Sequence, residues 1–163
     1  MIKSMQDQAW QRKINRGRYV ERQILRWIRK HFDAEASIVD GFCPEKDITS
    51  KVLGDVEVKE DRMAHQTGNY AIEYEDGDGK PSGLAITKSK FFVLVDWEWV
   101  CYMATESLWF IVKSCEKKEV LMGEKFEGGT KSKGWLIPRD KILLSPLVTT
   151  QKRWFPVLQT YGN

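Results

Sequence analysis

The chain has 163 residues and a net charge of +3, with 42% hydrophobic and 30% charged residues. This composition excludes wholesale disorder and is typical of a single packed domain over residues 1–163. The longest apolar run, residues 91–95, is far shorter than the ~20 residues of a membrane span. Because the N-terminus also lacks the apolar segment of a signal peptide, we expect a soluble intracellular protein without a membrane partner.

The charge is unevenly distributed along the chain. Residues 1–30 carry nine Lys or Arg against two acidic residues, and residues 125–153 carry seven against two. The remainder carries ten basic and nineteen acidic residues. Basic ends around an acidic centre suit a protein that binds phosphates while its carboxylates hold divalent cations. Plain solvation of the surface is the alternative explanation.

The first predicted element is an amphipathic helix over residues 17–32. Its apolar residues recur at helical spacing, and its arginines form a basic stripe beside them. The stripe consists of Arg18, Arg22, Arg26 and Arg29. Glu21 falls inside the apolar arc, where an unpaired carboxylate costs several kcal/mol. It therefore either pairs with an arginine of the same helix or belongs to a site.

A strand-rich centre follows. Alternating or continuous apolar residues predict strands, and turn signals separate them. The predicted strands cover residues 37–39, 47–48, 52–59 with a turn near 51–54, 70–75, 91–96 as a central strand, and 99–103 as its neighbour. Alternation with Tyr70, Ile72 and Tyr74 turns Glu73 and Glu75 towards solvent.

The last third is predicted to hold a helix and some short elements. A helix over residues 106–117 would be capped by Thr105. Residues 128–134 indicate a mobile basic loop, and residues 135–138 and 142–144 indicate late strands or short helices. A helix, then strands, then further helices predict a mixed α/β domain.

One segment carries the chemistry. If residues 47–59 form an antiparallel hairpin centred near Val52, Asp47 lies opposite Glu57 on the same face. Lys59 shares that face because side chains alternate with a period of two. Two carboxylates and an ammonium thus converge, whereas an exposed Glu57–Lys59 pair on an edge strand is the alternative. Asp55 is in phase with Glu57 too and stays a rival to Asp47.

Each group has a use in phosphodiester hydrolysis. Asp47, Glu57 and the main-chain carbonyl of Val58 offer hard oxygen ligands for Mg²⁺, or Mn²⁺. Such an ion neutralises phosphate charge and activates water. Lys59 can orient the nucleophile or stabilise charge in the transition state. Glu21 would be an additional ligand or would support the others.

The pattern resembles the PD-(D/E)XK nuclease superfamily, which includes restriction endonucleases and archaeal-type Holliday-junction resolvases. The resemblance rests on Asp47, on Glu57-x-Lys59 and on the helix that begins Gly17-Arg18-Tyr19-Val20-Glu21. The segment of residues 67–75 and the segment of residues 80–84 are similar to a phage-type branch. The match covers roughly residues 17–96, and the usual Pro-Asp pair is not literal, because Pro44 lies three residues before Asp47.

The resemblance implies a restriction-endonuclease-like mixed β-sheet flanked by helices. It implies a Mg²⁺-dependent endonuclease that cuts DNA, including structured or branched DNA, in the cytoplasm of a bacterium or a phage-infected host cell. Catalytic roles fall on Glu21, Asp47, Glu57 and Lys59. We expect phosphate contacts from the flanking basic groups, which are Arg18, Arg22, Arg26, Lys131 and Lys133.

Two other functions stay open. The fold could serve as a catalytically silent nucleic-acid-binding module, although such a module has no need of Lys59 on the acidic face. It could also serve as an assembly protein whose charged ends contact other proteins. Cutting two strands symmetrically would favour a homodimer, but the sequence shows no coiled coil or other dimer signature.

Overall fold

The computed structural model describes residues 5–41, 43, 45–122 and 131–157 of the chain. The helices are α1 (Met5–His31), α2 (Ala64–Thr67), α3 (Thr105–Ser114) and α4 (Arg139–Leu143). The strands are β1 (Ser37–Ile38), β2 (Ile48–Thr49), β3 (Val56–Glu60), β4 (Asn69–Glu75), β5 (Phe91–Val95), β6 (Trp99–Ala104), β7 (Lys118–Met122), β8 (Ser132–Pro138) and β9 (Thr149–Lys152).

The strands form two sheets. The main sheet has the order β1-β2-β3-β5-β6-β9, and the small sheet has the order β4-β8-β7. In the main sheet β3 and β5 are parallel, and the other neighbours are antiparallel. The expectation of a mixed α/β fold with a mixed sheet and β5 as a central strand is confirmed. The small sheet was not expected.

The main sheet separates two apolar clusters. On one face α1 places Val20, Ile24 and Ile28 against Val56 and Val58 of β3. On the other face the small sheet and α3 cover β5 and β6. Alternation along β3 therefore directs its valines to α1, and it directs Glu57 and Lys59 to the side of the small sheet.

Some predicted elements need correction. Helix α1 extends to Met5, well before the predicted start at residue 17. Helix α3 ends at Ser114, and the next strand begins at Lys118. Thr105 does not cap α3, because its hydroxyl donates 2.7 Å to the main-chain oxygen of Ser89.

The predicted basic loop over residues 128–134 is wrong in its second half. Residues 132–134 are part of strand β8, where Gly134 lies against the main chain of Ile72. Residues 128–130 lie outside the described residues. Among the described helices, none combines the length and the apolar character needed to cross a bilayer.

Candidate active site

The hairpin that carries Asp47 and Glu57 is antiparallel, and Ile48 pairs with Val56 as expected. The Asp47 amide donates a 3.0 Å hydrogen bond to the Val56 oxygen, so Asp47 lies beside β3 next to Glu57 without forming a ladder pair with it. The turn between the strands closes through a 2.9 Å hydrogen bond from the Gly54 amide to the Ser50 oxygen. Gly54 has φ +83°, a conformation that favours glycine. The local turn thus sets the position of the two carboxylates.

Glu57 is a buried carboxylate with one free oxygen. Its side chain is 3% exposed, and its Oε1 lies 2.8 Å from Lys59 Nζ in an ion pair. Its Oε2 is buried without a hydrogen-bond partner among the described residues. Because Glu57 is buried, the alternative of an exposed charge pair fails for Glu57, although Lys59 is 47% exposed.

Asp47 lies just before β2, beside an unpaired stretch of β3. Its Oδ2 accepts a 2.8 Å hydrogen bond from the Val58 amide. The N–H and C=O of one residue in a strand point to the same side, so the Val58 carbonyl is directed to the side of Asp47. The Asp47 carboxylate, the Glu57 carboxylate and the Val58 carbonyl, which are the oxygen ligands expected from the sequence, therefore all lie at or beside β3.

Glu21 approaches this region from α1. Its Oε2 lies 2.9 Å from Arg18 Nη1, which is the helix pair considered from the sequence. Even so, burial and then the charge of Asp47 raise the pKa of Glu21 above its ordinary value. Glu21 is therefore close enough to Asp47 for the two carboxylates to repel each other.

The acidic groups share one electrostatic environment. Burial raises the pKa of Glu57 to about 7, with further contributions from Asp47 and Glu21, while Lys59 opposes the shift. Burial also raises the pKa of Asp47, against the opposing effect of Lys59. The structure thus brings Glu21, Asp47, Glu57 and Lys59 together.

Lys59 stays charged in this environment. Burial opposes the charged form, but the carboxylates of Glu57 and Asp47 outweigh that effect and raise the pKa of Lys59. Its side chain is 47% exposed, so the ammonium can contact a molecule in solution while it remains paired with Glu57.

Asp55, the rival to Asp47, lies elsewhere. Its Oδ2 is 2.9 Å from Lys46 Nζ, and its main-chain oxygen accepts from the amides of Lys90 and Phe91. Asp55 therefore organises the turn side of the hairpin, and Asp47 is the carboxylate that the geometry places beside Glu57.

The four arginines of the basic stripe on α1 have different surroundings. Arg18 donates to the main-chain oxygens of Val39 and Gly41 as well as to Glu21. Arg29 donates 2.8 Å to the oxygen of Ala36. Arg22 and Arg26 are exposed and available to phosphates. Arg18 thus also holds the loop after β1, and its contact with a phosphate stays a prediction.

The two lysines of the predicted loop differ as well. Lys133 lies in β8, and its Nζ is 2.7 Å from Glu75. Lys131 is half-buried just before that strand. An ion-paired lysine on a strand offers less to a phosphate than a loop lysine does, so Lys133 is the weaker of the two candidates.

Glu73 is a site neighbour that alternation along β4 did not reveal. It lines a cleft together with Lys59, and its charge contributes to the raised pKa of Lys59. Its carboxylate also accepts a hydrogen bond from the Ser82 hydroxyl. Gly83, at φ +51°, packs closely against Glu73. A Cβ atom at Gly83 would lie 2.5 Å from the main-chain oxygen of Glu73.

Comparison with known proteins gives no match to a family model, a curated protein or a solved structure. No group of three or more His, Cys, Asp or Glu side chains in the described part of the chain is arranged as a ready-made metal site. The donor set of two carboxylates and a carbonyl still fits Mg²⁺, which keeps several waters. The unpartnered Glu57 Oε2 supports that fit.

Proposed function

We propose that this chain is a metal-dependent nuclease of the PD-(D/E)XK type that hydrolyses phosphodiester bonds in DNA. The observation that carries the proposal is Glu57, whose buried carboxylate keeps one oxygen unpartnered while the other holds Lys59 at 2.8 Å. A buried acidic group without full compensation is costly. Such a group is typical of functional sites, where strained electrostatics serve a ligand or a reaction.

Each residue has a distinct task in this proposal. Asp47, Glu57 and the Val58 carbonyl would hold Mg²⁺, or Mn²⁺ in its place. When bound, the ion supplies activation of water and neutralisation of phosphate charge. Lys59 donates hydrogen bonds to the phosphate oxygens as charge develops on them. Glu21 would add a third carboxylate to the site, and Arg18 pairs with Glu21 and with the loop after β1.

A cleavage assay with two site variants tests the proposal. The wild type, Glu57→Gln and Lys59→Met are incubated with linear and branched DNA in Mg²⁺, Mn²⁺ or EDTA. We expect the wild type to cleave in either metal and not in EDTA. Each variant should lose roughly 100-fold or more in rate, the magnitude usual for losing one transition-state contact.

Metal binding separates the roles of the two residues. Calorimetric titration with Mg²⁺ should show weakened binding by Glu57→Gln and near-normal binding by Lys59→Met, because an ammonium cannot be a ligand. Lys51→Met is the matched control, since it removes an exposed ammonium from an ion pair with Glu35. Cleavage by both site variants at the wild-type rate would contradict the proposal.

A silent nucleic-acid-binding module of the same fold is the second candidate. It is favoured by the lack of a ready three-ligand group among the described residues. It is distinguished from the nuclease by salt-dependent DNA binding without Mg²⁺ uptake and without cleavage in either metal.

A further inference from the structure

A cleft of about 840 Å³ opens beside Lys59, between the main sheet and β4. Its floor is apolar and comes from Phe92 and Leu94 of β5, Ile72 of β4 and Leu84, which are each at most 2% exposed. A volume of this size accommodates a group as large as a small organic ligand. The cleft combines an apolar floor with polar and charged residues around it, among them Lys59.

The mouth of the cleft lies where two parallel strands end. Lys59 pairs with Leu94, so Arg62 and Trp97 follow the carboxyl ends of β3 and β5 at equivalent positions. The carboxyl ends of parallel strands are a common place for ligands. Trp97 lies two residues beyond the end of β5 at Val95.

Trp97 and Arg62 form a stacking pair at this mouth. The Arg62 guanidinium carbon lies 5.1 Å from the centroid of the Trp97 ring, and Trp97 is 38% exposed. Within the described residues Arg62 makes no salt bridge, so its charge is available. An exposed indole next to an unneutralised guanidinium is suited to a nucleobase and its phosphate.

The acidic groups around the cleft are already engaged. Glu60 is paired with Arg153 at 2.9 Å. Asp61 accepts from the main-chain amides of Met63, Ala64 and Ala71. Lys59 is paired with Glu57 at 2.8 Å, and Glu73 also lines the cleft. Arg62 is therefore the cation at this mouth that is left without a salt bridge among the described residues.

We propose that this cleft binds an unpaired nucleotide next to the phosphate that is cut, with its base stacked at Trp97 and its phosphate near Arg62. A base inside a duplex cannot enter an apolar cleft, whereas a flap, a splayed arm or an extruded base can. This inference rests on the proposed function, because it places the neighbouring phosphate at Lys59. It adds a substrate class, namely nucleic acid with unpaired nucleotides at the cleavage point.

Binding in EDTA tests the cleft without requiring cleavage. The probes are a fully paired DNA duplex, the same duplex with a short single-stranded DNA flap that carries 2-aminopurine at the junction, and its RNA-flap counterpart. We expect the flap to bind roughly tenfold more tightly than the duplex and its fluorescence to be quenched by stacking. Comparison of the two flaps shows whether the unpaired strand is DNA or RNA.

Variants assign the effect to Trp97. Trp97→Ala should remove the flap preference and the quenching, and Trp97→Phe should retain most of both. Phe110→Ala is the matched control, because Phe110 is an exposed aromatic residue on α3 and does not line the cleft. If Trp97→Ala does not fold, Arg62→Gln should weaken flap binding and lower its salt slope by about one.

The outcomes separate this inference from the nuclease. Equal affinity for flap and duplex, or unchanged quenching in folded Trp97→Ala, would overturn the cleft while Mg²⁺-dependent cleavage could persist. Quenching that depends on Trp97, together with no cleavage of any substrate in Mg²⁺ or Mn²⁺, would retain the cleft and reject the nuclease.

Discussion

Glu57 combines burial with three charged neighbours, and this makes the folded protein sensitive to pH. Its ordinary pKa of 4.5 rises to about 7 in the folded protein. The folded state therefore binds a proton that the unfolded state releases. A carboxylic acid with a raised folded pKa stabilises the fold at low pH, and this contribution is lost as pH rises through the folded pKa.

We predict that the free energy of unfolding in EDTA falls by about 1–3 kcal/mol on account of Glu57 between pH 5 and pH 8. Glu57→Gln should be more stable than the wild type at pH 8 and similar to it at pH 5. Urea denaturation at several pH values measures both differences. Glu35→Gln, at an exposed ion pair, is the control that should leave the pH profile unchanged.

Added Mg²⁺ extends this test. If Asp47 and Glu57 hold the ion, it should stabilise the wild type at pH 8 and have little effect on Glu57→Gln, because a ligand that binds the folded state raises its stability. A Glu57→Gln variant that is less stable than the wild type at pH 8 would contradict the electrostatic account of this carboxylate.

At the scale of elements, Arg153 ties the segment after β9 to the ends of two central strands. Its side chain is 2% exposed. It donates to Glu60 Oε1 at 2.9 Å and to the main-chain oxygen of Asp96 at 2.8 Å. Arg16 Nε is 3.2 Å from the other oxygen of Glu60, without a hydrogen bond to it. Arg153 is therefore the main partner of a buried carboxylate.

We predict that Arg153→Met lowers the free energy of unfolding by about 3 kcal/mol, because removing one partner leaves a buried charge uncompensated. Combining it with Glu60→Gln should recover part of the loss, since the charge itself is then gone. Arg16→Gln, at a more exposed position, is the milder control. Urea denaturation of the four proteins measures the effect, and a loss below about 0.5 kcal/mol for Arg153→Met would refute it.

Local patterns predicted the elements on which the site depends. Gly54 marks a turn, and alternation on both sides of it is sufficient to predict the pairing of Ile48 with Val56, next to Asp47 and Glu57. The apolar run of β5 likewise predicted a central strand. These features depend on neighbours within a few residues, which a sequence pattern can report.

Features that depend on distant segments could not be predicted in the same way. The strands β7 and β9 are mostly polar or exposed. Their sequences show no apolar alternation, so nothing in them indicated that they pair with β8 and β6. The cleft arises only when β4 packs against β5, so Glu73 and Trp97 carry no local sign of it. Arg18 resembles its neighbours in sequence, yet the loop after β1 engages it.

At the scale of the whole molecule, the proposed nucleic-acid binding should owe much of its salt dependence to the exposed charge of α1. Arg22 and Arg26 are exposed on α1, which also carries Glu21. Each neutralised phosphate contributes a slope of about −0.9 to the dependence of log affinity on log salt for duplex DNA. The double variant Arg22→Gln/Arg26→Gln should therefore lose about two units of slope.

Arg29→Gln is the matched control, because Arg29 donates to the Ala36 oxygen. This variant should lower the free energy of unfolding while leaving the salt slope of DNA binding nearly unchanged. Fluorescence anisotropy at several salt concentrations measures each slope in EDTA. A double variant with the wild-type slope would show that α1 does not contact the phosphates.

The hydrogen bond from the Val58 amide to Asp47 has a spectroscopic consequence. Most amides of a sheet donate to a neutral carbonyl, whereas this one donates to a carboxylate whose charge depends on protonation and on bound cations. Its proton resonance and its exchange with solvent deuterium are therefore coupled to the state of the acidic site. An isotope-labelled sample would carry, at this one backbone position, an intrinsic reporter of cation binding that needs no substrate and no turnover.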